Sequence, residues 1–219
     1  MPNRDDDSSS LPFGFVADSD EYGRMYTDAL TLVSAGKDYP DYVFSKRFKH
    51  HYFMETSVAQ DAAFLVTLCA ATDENEVCLV SIQNEVQRYW IEEGHRGAVA
   101  MGIYDVLPHW QTAMSFCRKG RNTLDNIPNR QVIFGREKSW AAHVDMGWDL
   151  AVLGVETSIR RMMIAGMQFI HNAAWAEKYW RAQSSWMGDE FYTALKANYP
   201  SPKPTDRPSP HLPLVLSRN

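Results

Sequence analysis

The chain of 219 residues is long enough to bury one sizeable core and too short for two, and 45% of its residues are hydrophobic. Its 22 basic and 27 acidic side chains leave a net charge of −5, which argues against a phosphate-coating nucleic-acid binder with a basic face. No apolar run approaches the roughly 18 residues that span a bilayer, and the acidic start MPNRDDDSSS is no signal peptide. The three cysteines, Cys69, Cys78 and Cys117, are scattered and lack a CxxC pair, so neither a disulfide frame nor a zinc knuckle is expected and a reducing cytoplasm fits best.

Residues 1–12 are rich in Asp and Ser without periodic apolar positions, and residues 1–18 read as a disordered N-terminal segment. Ser19 then stands as an N-cap before Tyr22, Met25, Tyr26, Ala29, Leu30 and Val33. That i, i+3, i+4, i+7 series predicts a first helix ending at Gly36. Beyond Pro40 the pattern predicts a long helix over about 42–71, with Phe44, Phe48, Phe53, Val58, Phe64, Leu65 and Leu68 as core. The polar quartet Thr72-Asp73-Glu74-Asn75 predicts a tight turn and N-cap. A third helix follows over about 76–106 up to Pro108, and another runs from about His109 to Gly120. Residues 121–129 read as a loop, and Val132-Ile133-Phe134 is too short to stand as a strand. Helical patterning resumes over about 136–183, with breaks at Gly147 and Gly154, and a short last helix opens at Gly188-Asp189 and runs to Asn198. Six of the eleven prolines fall within residues 200–219, so 199–219 reads as an extended tail. Long helices joined by short turns predict an all-α antiparallel bundle over residues 19–198.

One constellation in this bundle could carry chemistry. Glu92-x-x-His95 places a carboxylate and an imidazole on one helix face, about one turn apart, where both can hold one metal ion. Asp61 lies 31 residues earlier on the preceding predicted helix. With the turn at 72–75, an antiparallel pairing leaves the two levels mismatched by roughly 7 Å. Glu156 stands in the apolar stretch Leu150, Val152, Leu153, Val155, Ile159, Met162 and Met163, where a buried carboxylate needs a metal or a base beside it. Asp189-Glu190 opens the last helix, with Glu190 34 residues after Glu156.

The order Asp61, Glu92-x-x-His95, Glu156, Glu190 resembles the ligand order of ferritin-like di-iron oxygenases. Its spacing is most similar to the hydroxylase components of bacterial multicomponent monooxygenases, the methane, phenol and toluene hydroxylase family, over residues of about 42–198. The resemblance implies two irons, held by Asp61, Glu92 and His95 on one side and by Glu156 and Glu190 on the other. It also implies oxidation of a small apolar hydrocarbon or aromatic, with a second hydroxylase subunit, a reductase and a small regulatory protein as partners. The chain departs from the family at Thr193, where a second histidine is usual, and at Arg160-Arg161 beside Glu156. These departures suit a second reading, a metal-free structural subunit of such a hydroxylase; an unrelated helical interaction protein is the third. A competing register, Glu55 and Glu85, puts Arg88 in the histidine place.

Each residue also has a structural reading. Asp61 can be a helix cap, Glu156 can pair with Arg160, and His143 can pair with Asp145 and Asp149 on a helix surface. His50-His51 reads as the solvated end of the basic run Lys46, Arg47, Lys49, and His171 as a satisfied core histidine. Trp175, Trp180 and Trp186 read as packing or interface anchors. The sequence holds no phosphate loop, nucleophile elbow or HExxH, and the cysteines sit in apolar stretches where thiols are inert.

Overall fold

The computed structural model describes residues 12–34, 36–46, 48–82, 97–118, 130–156, 170–183 and 187–200. The elements in chain order are α1 (Ser19–Leu32), β1 (His50–Met54), α2 (Thr56–Ala59), α3 (Ala62–Thr72), β2 (Glu76–Ser81), β3 (Ala98–Gly102), α4 (Ile103–Arg118), β4 (Arg130–Gly135), β5 (Trp140–Asp145), β6 (Leu150–Val155), α5 (Ala173–Gln183) and α6 (Asp189–Asn198). The fold is mixed α/β, which overturns the all-α, ferritin-like expectation. Six strands form one sheet in the order β1-β6-β5-β4-β2-β3, with every neighbouring pair antiparallel.

The reason for the error lies in the strands themselves. Helices cover both faces of the sheet, so successive side chains on a strand enter opposite cores and both are apolar. On β2, Cys78 and Val80 face one core while Val77 and Leu79 face the other. On β6, Val152 joins the first core and Ala151, Leu153 and Val155 the second. β5 and β6 are buried at every position. Such strands read as continuous apolar runs without the polar alternation that marks a one-sided strand. Val132-Ile133-Phe134, dismissed for its length, is the centre of β4 and lies next to β2 and β5. The predicted helix over 136–183 contains instead the β5–β6 hairpin, whose four-residue turn includes the anticipated break at Gly147.

The first core lies under α1, α5 and α6, whose Met25, Leu32, Ala176, Trp180, Tyr192 and Leu195 meet Val80, Phe134 and Val152. The second lies under α3 and α4, whose Leu65, Leu68, Trp110 and Met114 meet Leu79, Ile133 and Leu153. The first and last helices stand where their patterns place them. Asp18, one residue before the expected cap, accepts the Asp20 and Glu21 N–H groups, and Gly188 precedes α6. Pro108 does not end a helix but sits inside α4. Both sheet edges are covered, which removes exposed pairing templates. Along β3, Ala100 N donates to Gly14 O (2.8 Å) and Val16 N to Ala98 O (3.0 Å). At β1, Phe53 and His171 exchange two backbone hydrogen bonds of 2.7 and 2.8 Å. Among the described residues no helix is long and apolar enough to cross a membrane.

The quartet 72–75 is indeed a turn, but it leads into a strand. Asp73 closes α3 in the left-handed region (φ 56°), and Glu74 is buried. The Glu74 carboxylate reaches across to the β4–β5 turn, where it accepts Glu137 N (2.8 Å), Ser139 N (3.1 Å) and Ser139 Oγ (2.5 Å). Gly135 makes this approach possible, because a Cβ there would lie closer than 3.0 Å to the carboxylate.

Candidate functional site

Of the five residues expected to hold iron, the three described ones stand apart, Asp61 at the start of α3, Glu156 after β6 and Glu190 on α6. Asp61 is the N-cap of α3 and accepts Phe64 N at 2.9 Å. Glu156, directly after β6, pairs with Lys46. Glu190 is exposed in the first turn of α6. Glu92 and His95 lie outside the described residues, as do Glu85 and Arg88 of the competing register and Arg160-Arg161. Among the described residues no three His, Cys, Asp or Glu side chains converge to hold a metal ion. The all-α, ferritin-like helix–helix geometry expected to join Asp61, Glu156 and Glu190 is replaced by a sheet. Thr193, the departure from the histidine pattern, donates its hydroxyl to Asp189 O within α6 (2.9 Å).

Two polar constellations are instead built against the α1, α5 and α6 face of the sheet. The first joins the loop after α1 to the end of β5. His143 is wholly buried on β5, its Nδ1 3.2 Å from the Tyr39 hydroxyl, and among the described residues its Nε2 has no hydrogen-bond partner. Burial, with Arg130 adding repulsion, pushes its pKa from 6.5 down to about 3, so the ring is neutral. Nearby, Arg130 bridges Asp38 and Asp145. Asp145 also accepts Gly147 N (2.9 Å) and Trp148 N (3.3 Å), which closes the β5–β6 turn, and Trp148 Nε1 donates to Asp38 (3.2 Å). Burial raises the Asp145 pKa against the pull of Arg130. The expected His143–Asp145–Asp149 grouping is therefore no helix surface. Asp149 belongs to the turn and accepts Thr56 Oγ1 (2.6 Å) and the Tyr179 hydroxyl (3.0 Å). Tyr39, Asp38, Arg130 and Trp148 thus tie the loop after α1 to β4, β5 and the β5–β6 turn.

The second constellation is open to solvent. The stretch after α1 is closed by Ser34 N to Val43 O (2.8 Å) and Ser45 N to Leu32 O (2.9 Å). The end of α6 clamps this loop. Tyr199 accepts Val43 N (2.9 Å) and donates to Asp41 O (2.8 Å), while Asn198 Nδ2 donates to Pro40 O (2.9 Å). Between loop, β1 and helix end lies a cleft of about 510 Å³. Tyr42, Phe44, Phe48 and His51 supply ring surfaces to its lining, and Lys37, Ser45, Ala197 and Asn198 complete it. The rings are mutually braced. Phe44 and Phe48 meet edge to face at 5.0 Å, Tyr42 and His51 at 5.3 Å, and His51 and Tyr199 at 5.4 Å. The Tyr42 hydroxyl lies 3.0 Å from His51 Nε2 and accepts Phe48 N at 3.2 Å. Burial, reinforced by the neighbouring His50, lowers the His51 pKa to about 4.

Gly154 on β6 sets how deep this wall sits, since a Cβ there would come closer than 3.0 Å to the Phe48 ring. We expect Gly154→Ala to displace Phe48 and cost about 1–3 kcal/mol, as overpacking does, read by urea denaturation. An unchanged midpoint would show that the ring moves freely.

The sequence pattern predicts a helix core for Phe44 and Phe48 and a solvated basic run for His51, whereas all three line the cleft. The available signal was aromatic density: Tyr42, Phe44, Phe48, Tyr52 and Phe53 crowd a short stretch after Pro40. Cys69 and Cys78 are free thiols, both buried. Burial pushes Cys69 up to about 12 and raises Cys78 further. Comparisons with known protein families, curated proteins and solved structures find no match to the chain.

Proposed function

We propose that the chain is a binding protein whose cleft takes a small molecule carrying an anionic group. The observation that carries this reading is the ring-lined cleft itself. Its volume lies within the range of about 300–1,000 Å³ usual for small-molecule sites, and polar groups of Lys37, Tyr42, Ser45 and Asn198 stand among its lining. The half-buried Tyr42 ring, backed by the buried Phe44, offers one aromatic contact to a ligand. The Lys37 ammonium, on an exposed residue of the lining, favours a carboxylate or sulfonate.

Binding is favoured over catalysis because the cleft holds no group poised to move protons at neutral pH. A general base works best with a pKa near the working pH, whereas His51 titrates near 4 and its Nε2 already faces the Tyr42 hydroxyl. The phenol is in turn engaged by Phe48 N.

The fluorescent aromatic sulfonate 8-anilinonaphthalene-1-sulfonate tests this at neutral pH. One equivalent is expected to bind with enhanced, blue-shifted emission. Lys37→Glu should weaken it by about fivefold, the scale of losing one partly exposed charge contact. Ser45→Trp, placed at an exposed position of the lining, should block it while leaving the fold intact by circular dichroism. Equal affinity in Ser45→Trp and the parent would overturn the reading.

A further inference from the structure

We propose that His51 is a specificity-determining residue of the cleft, its Nδ1–H donating to a singly charged carboxylate whose charge Lys37 balances. The inference rests on the cleft being the site of an anionic small molecule, and it names the class of that anion.

The imidazole is held in one tautomer. With a pKa lowered to about 4 it is neutral at neutral pH, so one ring nitrogen carries a proton and the other accepts. The Tyr42 hydroxyl has one proton and two acceptors in reach, His51 Nε2 at 3.0 Å and Lys46 O at 3.4 Å. The shorter contact takes it, because a hydrogen bond weakens with length. The same oxygen accepts Phe48 N at 3.2 Å, which holds the phenol in place. Nε2 is therefore the acceptor and the ring proton sits on Nδ1. Edge-to-face contacts with Tyr42 (5.3 Å) and Tyr199 (5.4 Å) fix the plane of the ring.

That proton is left for a ligand. Among the described residues Nδ1 has no hydrogen-bond partner, and unlike His143 Nε2 it is not sealed from solvent, although only 8% of His51 is exposed. His51 lines the cleft, so the open edge of an otherwise buried ring lies there. A donor so nearly buried loses by staying unpaired, and an anionic oxygen is its strongest partner.

Charge selects the kind of anion. Among the described residues that line the cleft, Lys37 alone carries a charge, on a chain of net charge −5. One ammonium balances one negative charge. The neutral imidazole adds a second, directed hydrogen bond without adding charge, which matches the two oxygens of a carboxylate. A phosphate dianion brings a second negative charge that meets no partner.

The test uses the full-length chain labelled with 15N in its histidines, with benzoate as the probe at neutral pH and His51→Leu to assign the resonances. Before any ligand is added, His51 should show a protonated Nδ1 and a bare Nε2, and benzoate should shift Nδ1. His51→Leu should weaken benzoate by about tenfold, the loss of one hydrogen bond to a charged group. His51→Asn, whose side-chain N–H lies at the level of Nδ1–H, should recover most of that affinity, which a purely structural role would not allow. Tyr42→Phe keeps the ring but releases the tautomer, so Nδ1–H is offered about half the time and affinity falls about twofold. Phenyl phosphate should bind more weakly than benzoate. A bare Nδ1 in the ligand-free chain, equal benzoate affinity in a folded His51→Leu, or tighter binding of phenyl phosphate each overturns the proposal. If 8-anilinonaphthalene-1-sulfonate binds while benzoate leaves Nδ1 unmoved, this inference fails and the small-molecule reading stands. If neither compound binds, both fail.

Discussion

Acidifying the protein from pH 7 to pH 4 should remove on the order of 5 kcal/mol of stability, enough to unfold a domain of ordinary stability. The cause is two imidazoles buried in neutral form. His143 titrates near 3 and His51 near 4 in the fold, against 6.5 for an ordinary histidine. In both cases the folded value is the lower one, so between the two values the unfolded chain binds more protons than the native chain. The stability they confer is complete above about pH 6.5 and is lost as pH falls toward the folded values, at up to ~1.4 kcal/mol per pH unit for each ring. His171 shifts in the same direction, chiefly through burial. Asp145 works against the trend: its raised pKa lets the native state take up a proton before the unfolded chain does, which offsets part of the loss. Urea unfolding at pH 7, 6, 5 and 4 measures the slope. His143→Leu fills the site with an apolar side chain that cannot be charged, so its acid limb should be shallower by close to one proton. A stability that stays flat from pH 6.5 to 4.5 would contradict the burial of both rings.

Glu74→Ala should cost about 4 kcal/mol or more, a larger loss than removal of any surface ion pair. Its carboxylate is buried and holds three donors of the β4–β5 turn, two backbone N–H groups and the Ser139 hydroxyl. Hydrogen bonds to a charged acceptor contribute about 1.5–3 kcal/mol each, and donors left buried without water lose more. The side chain also links the end of α3 to a hairpin more than sixty residues later in the chain. Glu74→Gln keeps an acceptor of the same reach and should recover roughly half of the loss. By contrast Glu156→Ala, which breaks a part-exposed pair with Lys46, should change stability by less than about 1 kcal/mol. Chemical denaturation of the three variants ranks them, and a Glu74→Ala midpoint equal to that of Glu156→Ala would show that the turn does not depend on the carboxylate.

The pattern of success along the chain follows from where each element sits. α1 and α6 lie on the outside of the first core, bury one stripe and expose the other, so their 3.6-residue periodicity and starting points are visible in the amino acids alone, although α1 ends at Leu32, short of the expected Gly36. β5 and β6 lie in the middle of the sheet, with both sides apolar, and a run such as Leu150–Val155 then satisfies a buried helix and a buried strand equally well. α3 has the same ambiguity with the opposite outcome: Ala62–Thr72 is apolar nearly all round and is a helix. The candidate cleft was hidden for another reason. Tyr42, Phe44, Phe48 and His51 come from one loop and one strand, but their wall is completed by Ala197 and Asn198 from α6.

Local pattern alone determines that the outer helices begin at Asp18-Ser19 and Gly188-Asp189, and that prolines crowd residues 200–219. Only tertiary packing decides that the apolar middle is a sheet, that Glu74 turns inward to hold a distant hairpin, and that Asp61 and Glu156 serve a helix cap and a lysine instead of a metal. The physical reason is that a side chain's spacing records which faces are dry, whereas the choice between strand and helix for a segment dry on every side belongs to the neighbours that cover it.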